Sequence, residues 1–224
     1  MSIVPAIPSS AVIITRDASN SSQVLLVRRN KRIAFHGGSW VFPGGKVDAV
    51  DYGAEDVDEL TIARRAAVRE VAEETALTVC ESHLECFSHW TTPENQPKRF
   101  ATWFFLTQVA SDNTVEVDGS EIVEHQWLSI GDALRKRANN EIILPPPTFV
   151  SLVKLQRFTE SNHSFDCLGS QDVERFVPRL VELENGRCSL YEEDAGYKTL
   201  DLTAEGAQHR LFMLDSGWHY VRDF

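Results

Sequence analysis

The stretch Arg69-Glu70-Val71-Ala72-Glu73-Glu74-Thr75-Ala76-Leu77 sets three carboxylates at helical spacing, behind a turn at Pro43-Gly44-Gly45-Lys46. Glu70, Glu73 and Glu74 fall at i, i+3 and i+4, so a helix projects them from one side. On a wheel of about 100° per residue, Leu60, Ala63, Ala67, Val68 and Val71 form the apolar arc. Glu74 lies inside the edge of that arc, Glu70 beside it and Glu73 further out. A carboxylate at the edge of a buried face is costly unless a base or a metal meets it. Three close negative charges repel one another, and a divalent cation turns that repulsion into affinity. Hard cations such as Mg²⁺ prefer carboxylate oxygens. The plain alternative is a solvated acidic helix face. The Gly44-Gly45 pair weighs against it, because two glycines let a backbone turn tightly and approach a ligand.

Strand-like runs surround this helix. Ala11–Thr15 and Gln23–Arg29 read as a hairpin across a polar turn, and Trp40–Phe42 as a short strand. Lys46–Glu59 is an acidic loop in which Asp56-x-x-Glu59 reads as a capping box for a helix ending near Thr75. Leu84–Trp90, Lys98–Leu106 and Ile122–Leu128 read as strands. Ser129 to Ala138 reads as a helix capped by Ser129 or Asp132, and Thr148–Phe158 as another. Beyond a polar linker, Thr159–Asp172, the tail reads as strands at Val177–Leu183, Cys188–Tyr191 and Arg210–Arg222. Asn185-Gly186 is the expected hairpin turn.

A net charge of −11 argues against a binder of nucleic acid or anionic membrane, since either needs a basic surface. A phosphate-bearing small molecule stays compatible, because a bound metal reverses the local sign. The densest basic cluster, Arg28, Arg29, Lys31 and Arg32, is either a soluble strand end or a contact for an anionic group. Nothing in residues 1–10 has the form of a signal peptide, and Cys80, Cys86, Cys167 and Cys188 lack metal-type spacing. The expectation is a cytoplasmic chain with reduced cysteines.

Residues 69–77 and Pro43-Gly44-Gly45 resemble the Nudix box. That box is a glycine, five residues, Glu, seven residues, then Arg-Glu-apolar-x-Glu-Glu-x-Gly-apolar. Ala76 stands where the box has its last glycine, and the interval from Gly45 to Arg69 is about ten residues longer than in the box. Glu55 and Glu59 are both candidates for the box's first Glu. Trp90-Thr91-Thr92-Pro93-Glu94 and Arg99-Phe100-Ala101-Thr102-Trp103-Phe104-Phe105 resemble a Nudix branch that includes coenzyme A diphosphatases.

The resemblance implies an α/β/α sandwich with a mixed central sheet, over residues 1–158. The core fold does not require the C-terminal β-rich extension, residues 159–224, which is expected to pack on the same domain and there to cap the site, extend the sheet or mediate dimerisation. It further implies hydrolysis of a pyrophosphate bond in a nucleoside diphosphate derivative, with coenzyme A or an acyl derivative as one candidate. Mg²⁺ or Mn²⁺ would be held by Glu70, Glu73, Glu74 and Gly45. Glu70 would also touch the attacking water, and Glu121 or Glu124 would serve as base. Arg28, Arg32, Gly44 and Arg99 are the expected substrate contacts, and Arg69 with Glu59 the support of the box. The rival expectation is a catalytically weak Nudix-fold nucleotide-binding or regulatory module, motivated by Ala76 and the lengthened box.

Overall fold

The computed structural model describes residues 3–18, 21–53, 58–160 and 173–224, which divide into two compact units. The larger comprises Ile7–His89 and Thr102–Glu174. Its sheet is built on β1 (Ile7–Ala18) and β2 (Ser21–Arg29), paired antiparallel from Thr15↔Val24 to Ala18↔Ser21. β3 (Trp40–Val41) pairs β2, and β4 (Gly44–Lys46) pairs β1. Then follow α1 (Glu59–Thr75), β5 (Glu85–Thr91), β6 (Phe100–Gln108), β7 (Ile122–Ser129), α2 (Ile130–Ala138) and α3 (Pro146–Glu160). The strand order is β3-β2-β1-β6-β5, with β7 on β2.

The sheet is covered on both faces. Val12, Ile14, Leu25 and Val27 join Ala63, Ala67 and Val71 of α1 in one core. Ile13, Val24 and Leu26 point the other way by strand alternation and are equally buried. On that side α2 packs against β2 and β7 and carries α3. Strands buried on both faces read as the continuous apolar runs seen in the sequence. The architecture is the expected α/β/α sandwich.

The helix carrying the glutamates ends where its pattern requires, at Thr75, but starts from a different cap. Asp58 accepts from Leu60 N–H and Thr61 N–H, each at 3.0 Å. Asp56, of the expected capping box, lies outside the described residues. At the other end Ala76 adopts the left-handed conformation, φ 57°, and its N–H donates to Ala72 O. That is the conformation a helix-ending glycine adopts without steric cost, so the glycine of the box has a structural reason that Ala76 meets under strain. Ser129 caps α2 by accepting from Asp132 N–H.

The smaller unit comprises the segment ending at Ala6, Trp90–Ala101 and Arg175–Phe224. After β8 (Glu174–Phe176) come β9 (Arg179–Leu183), β10 (Gly186–Leu190), β11 (His209–Leu214) and β12 (Gly217–Arg222), an antiparallel sheet in the order β12-β11-β10-β9. Two expectations are corrected here. Arg210–Arg222 is not one strand but two, folded at Asp215-Ser216, because Leu214 pairs Gly217. The β9–β10 turn is Glu184-Asn185, with Gly186 already paired to Leu183. Trp90, Phe176 and Tyr191 form its aromatic core, Trp90 stacked on Phe176 at 4.0 Å. Asp194 is its polar anchor: buried, it accepts two hydrogen bonds from Arg210, at 2.7 and 2.8 Å.

Ala76→Gly relieves the left-handed strain and should raise unfolding free energy by about 1 kcal/mol. Urea denaturation with an unchanged slope checks this; a neutral or destabilising result would show that the cap geometry costs Ala76 nothing.

Candidate functional site

Two glycines let α1 lie close to the sheet. β4 pairs β1 with Ser10↔Gly45 and Ala11↔Gly44 in register. A Cβ on Gly45 would stand 2.4 Å from the Glu70 carboxyl carbon, so the Glu70 carboxylate occupies the space a side chain would need. Gly44, at φ 153°, approaches β1 so closely that a Cβ would stand 2.2 Å from Ser10 O. Its N–H donates to Glu74 Oε2 at 2.9 Å.

Among the described residues that N–H is the only hydrogen-bond partner of the Glu74 carboxylate, and Glu74 is 4 % exposed. Burial pushes its carboxyl up to about 8, against the Gly44 hydrogen bond and the charge of Arg29; the charges of Glu70 and Glu121 push further in the same direction. The Glu70 carboxyl is also raised by burial, against the hydrogen bond and charge of Arg69. Two neighbouring acids whose charged forms burial disfavours mark a candidate functional site.

Arg69 holds the rest. Its Nε and Nη2 bind the two oxygens of Asp51 at 3.0 and 2.8 Å. Nη2 also donates to Lys46 O at 2.9 Å, and Nη1 to Glu70 Oε1 at 2.9 Å and Glu73 Oε2 at 3.0 Å. Asp51 sits in a short 3₁₀ helix, Ala49–Tyr52, and is 3 % exposed. Burial pushes its carboxyl up, but the Arg69 and Asp48 hydrogen bonds and the Arg69 charge leave it below its ordinary value. Hydrogen bonding to Asp51 likewise raises the Arg69 guanidinium, against burial.

Asp51 is the residue that the sequence reading missed, and the sequence held the signal. Five residues separate it from Gly45, the spacing of the first acid of the box. The extra chain therefore lies between Asp51 and Arg69. Of the two acids expected in that role, Glu55 is outside the described residues, and Glu59 accepts instead from Trp103 Nε1 at 3.0 Å.

The other expected residues divide. Glu121 is exposed, and its charge acts on both Glu70 and Glu74. Glu124 is paired with Arg28 at 3.0 Å across β2 and β7, so these two satisfy each other. Arg29, one residue on, shares the α1-facing side of β2 with Leu25 and Val27 by alternation. Its charge acts on Glu74, and among the described residues its buried Nε has no hydrogen-bond partner. Arg32 is exposed in the turn that follows. Arg99, in the smaller unit, is 7 % exposed and donates to Thr92 O and Val4 O at 3.0 and 2.8 Å. Its guanidinium thus serves backbone carbonyls rather than presenting a free face to a phosphate.

Among the described residues no three carboxylates are gathered into a ready cation cage. The cause is local: Glu70 and Glu73 turn to Arg69, and Glu74 turns to Gly44. The donor set still fits a hard divalent cation, with oxygen ligands of one charge on adjoining turns and a buried carboxylate served by one N–H.

Two measurements test this geometry. Asp51→Ala strands the Arg69 guanidinium and should cost about 2 kcal/mol in a urea melt, below the cost for a fully buried pair because Arg69 is partly exposed. Equal losses for Asp51→Ala and Glu59→Ala would contradict the assignment of Asp51 as the brace. In metal-free protein the folded state keeps a proton on Glu74 that the unfolded chain releases near the ordinary value of 4.5. Folding therefore takes up a proton between about 4.5 and 8, and stability falls as pH rises through that window. Glu74→Gln should flatten this fall, read as thermal midpoint against pH.

A family model for the NUDIX domain matches residues 6–146. A curated relative, "Putative nudix hydrolase 7" of Caenorhabditis elegans, is 27% identical over 183 residues, 66% of this chain and 60% of its own length. "Acyl-coenzyme A diphosphatase NUDT19" of Homo sapiens is 31% identical over 166 residues, 60% of this chain and 44% of its own length. The matches to these two relatives thus span about half of their length. The crystal structure of a NUDIX hydrolase from Alicyclobacillus acidocaldarius has the same fold, at a TM-score of 0.59 and 23% identity over 67% of this chain and 91% of that one. With more than half of its length matched by the family model, and with Gly45, Asp51, Arg69 and the three glutamates in the order of the box, the chain belongs to the NUDIX family.

Proposed function

We propose that this chain is a divalent-metal-dependent hydrolase that cleaves the pyrophosphate bond of a nucleoside-diphosphate-linked substrate, with coenzyme A or an acyl-coenzyme A as the substrate class. The observation that carries the reading is the buried Glu74 carboxylate beside Glu70, set on the Gly44-Gly45 backbone with a single N–H for company. The substrate class is supported by the human relative's description as an acyl-coenzyme A diphosphatase.

Glu70, Glu73, Glu74 and the Gly45 backbone are the groups that would hold Mg²⁺ or Mn²⁺. When bound, the metal neutralises phosphate oxygens and lowers the pKa of a water. The chain's own residues supply the rest. Arg69 keeps the acidic helix and the loop after β4 in one frame through Asp51 and Lys46 O. Arg29, whose buried Nε has no hydrogen-bond partner among the described residues, is the cation we assign to a substrate phosphate, in place of Arg28 and Arg99. Arginine suits that role because its planar fork matches phosphate oxygens. We assign the base that takes a proton from the attacking water to Glu121, since its charge acts on the carboxylates of Glu70 and Glu74 while Glu124 is occupied by Arg28.

One observation favours a weaker enzyme or a binding module: Arg69 already neutralises Glu70 and Glu73, so a metal must compete with it. The experiment is a panel of coenzyme A, acyl-coenzyme A, ADP-ribose, NADH and diadenosine polyphosphates with Mg²⁺ or Mn²⁺. Metal-dependent release of two phosphate-bearing products is expected, falling by about 100-fold or more in Glu74→Gln. Nucleotide binding without turnover of any member would replace this reading with the regulatory module.

A further inference from the structure

Glu121 stands exposed on the loop before β7, yet its charge reaches both Glu70 and Glu74. A carboxylate on a free loop samples many positions, because surface loops are the mobile parts of a fold. A group that takes a proton acts only from about 3 Å away. For Glu121 to serve the site, its main chain has to be held. The hold comes from inside the loop. Asp118 Oδ2 accepts from Glu121 N–H at 2.8 Å, from Ser120 N–H at 3.3 Å and from the Ser120 hydroxyl, and Asp118 Oδ1 accepts from Ile122 N–H at 2.7 Å. Hydrogen bonds to an ionised acceptor are roughly twice as strong as neutral ones. Burial disfavours the charged form of Asp118, but the Ser120 hydroxyl and these N–H groups outweigh it and keep its carboxyl below the ordinary value.

The loop is also tied to the elements on either side of it. Glu116 N–H donates to Thr75 O at 3.0 Å, which joins the segment to the residue after Glu74. Val115 and Ile122 bury in the same core as Ala63, Ala67 and Val71 of α1. At the end of β2, Asn30 N–H donates to Glu121 O at 2.8 Å and Asn30 Nδ2 to Ser120 O at 2.9 Å. Asn30 directly follows Arg29, so the same loop is tied to the acidic helix and to the arginine assigned to phosphate. A role for Asp118 in starting β7 alone would need only the Ile122 bond. Its other oxygen is committed to Ser120 and Glu121, and the Asn30 side chain to Ser120 O, so both side chains converge on the residues that carry the Glu121 carboxylate.

We propose that Asp118 and Asn30 are positioning residues for catalysis, which fix the main chain at Glu121 from two sides and so set its carboxylate against Glu70 and Glu74. Neither touches the substrate, and both act through Glu121. The inference rests on the hydrolase reading above, with Glu121 as its base, and adds the device that makes an exposed acid usable there.

The test is a double-variant cycle with Mg²⁺ and coenzyme A, or whichever member of the nucleotide panel turns over fastest. Glu121→Gln should lower kcat by about 100-fold. Asp118→Ala should lower kcat by about tenfold with KM little changed, because loosening the loop misplaces the base without removing a substrate contact. Asn30→Ala should act in the same direction to a smaller degree, since its main-chain bond to Glu121 O remains. Asp118→Ala/Glu121→Gln should be no slower than Glu121→Gln alone, the non-additivity expected when one residue works only through the other. Amide hydrogen exchange at Glu121 and Ile122 should speed up in Asp118→Ala while α1 keeps its protection, and circular dichroism establishes that each variant is folded. A wild-type kcat in Asp118→Ala, a loss carried by KM, or losses that multiply in the double variant overturns the positioning role and leaves the hydrolase standing. A wild-type kcat in Glu121→Gln removes the base and the positioning role together, again with the hydrolase intact. Absence of metal-dependent turnover in the unaltered protein overturns both readings.

Discussion

Three carboxylates within two turns of one helix repel one another, and the structure answers with a single guanidinium. Arg69 binds both oxygens of Asp51, the carbonyl of Lys46, Glu70 and Glu73. Remove it and three things separate: the acidic helix loses its counter-charge, the 3₁₀ turn loses its anchor, and the strand end after Gly45 is released. Asp51 is almost fully buried, and the hydrogen bonds and charge of Arg69, with the Asp48 N–H, are what favour its charged form. The extra residues between Asp51 and Arg69 therefore leave the site undisturbed, since loop length adds little entropy once both ends are pinned. Arg65 reinforces the same pin, donating to Tyr52 O at 3.2 Å.

The site depends as much on absent atoms as on present ones. Gly44 and Gly45 carry no Cβ, so α1 comes near enough for Glu70 to occupy the vacant volume and for Glu74 to reach a strand N–H. That contact leaves Glu74 underserved, with burial opposing its charge. The protein tolerates the cost because α1 is held by Ala63, Ala67 and Val71 in a core of strand residues with almost no exposure. Packing energy supports a polar arrangement that would not stand alone, and this is how functional groups come to rest in unfavourable surroundings.

Polar commitments also sort the arginines. Arg28 and Arg29 are adjacent in sequence, yet strand alternation sends one to Glu124 and leaves the other beside the glutamates. Arg99 has the setting of a phosphate-gripping residue in sequence, at the head of an aromatic strand. In the structure it fastens Thr92 and the segment before β1 through their carbonyls. Arg210 does comparable work in the smaller unit, donating twice to Asp194 and once to Leu202 O.

The sequence by itself determined the glutamate helix, the glycine turn, the strand pattern and the family, because periodicity and short-range spacing are written along the chain. Even Asp51 was legible, five residues past Gly45, though the more conspicuous acids Glu55 and Glu59 drew the reading away from it. Only the tertiary structure decided which cations are free. Whether an arginine meets a carboxylate, a carbonyl or nothing depends on partners distant in sequence, such as Glu124 for Arg28 or Val4 for Arg99. Burial is collective in the same way: the wheel put Glu74 at the edge of an apolar arc, but its resistance to ionisation follows from the strands that close over it. The fold of β11 and β12 at Asp215-Ser216 was missed although Ser216-Gly217 is a turn dipeptide; the pairing of Leu214 with Gly217 fixes it.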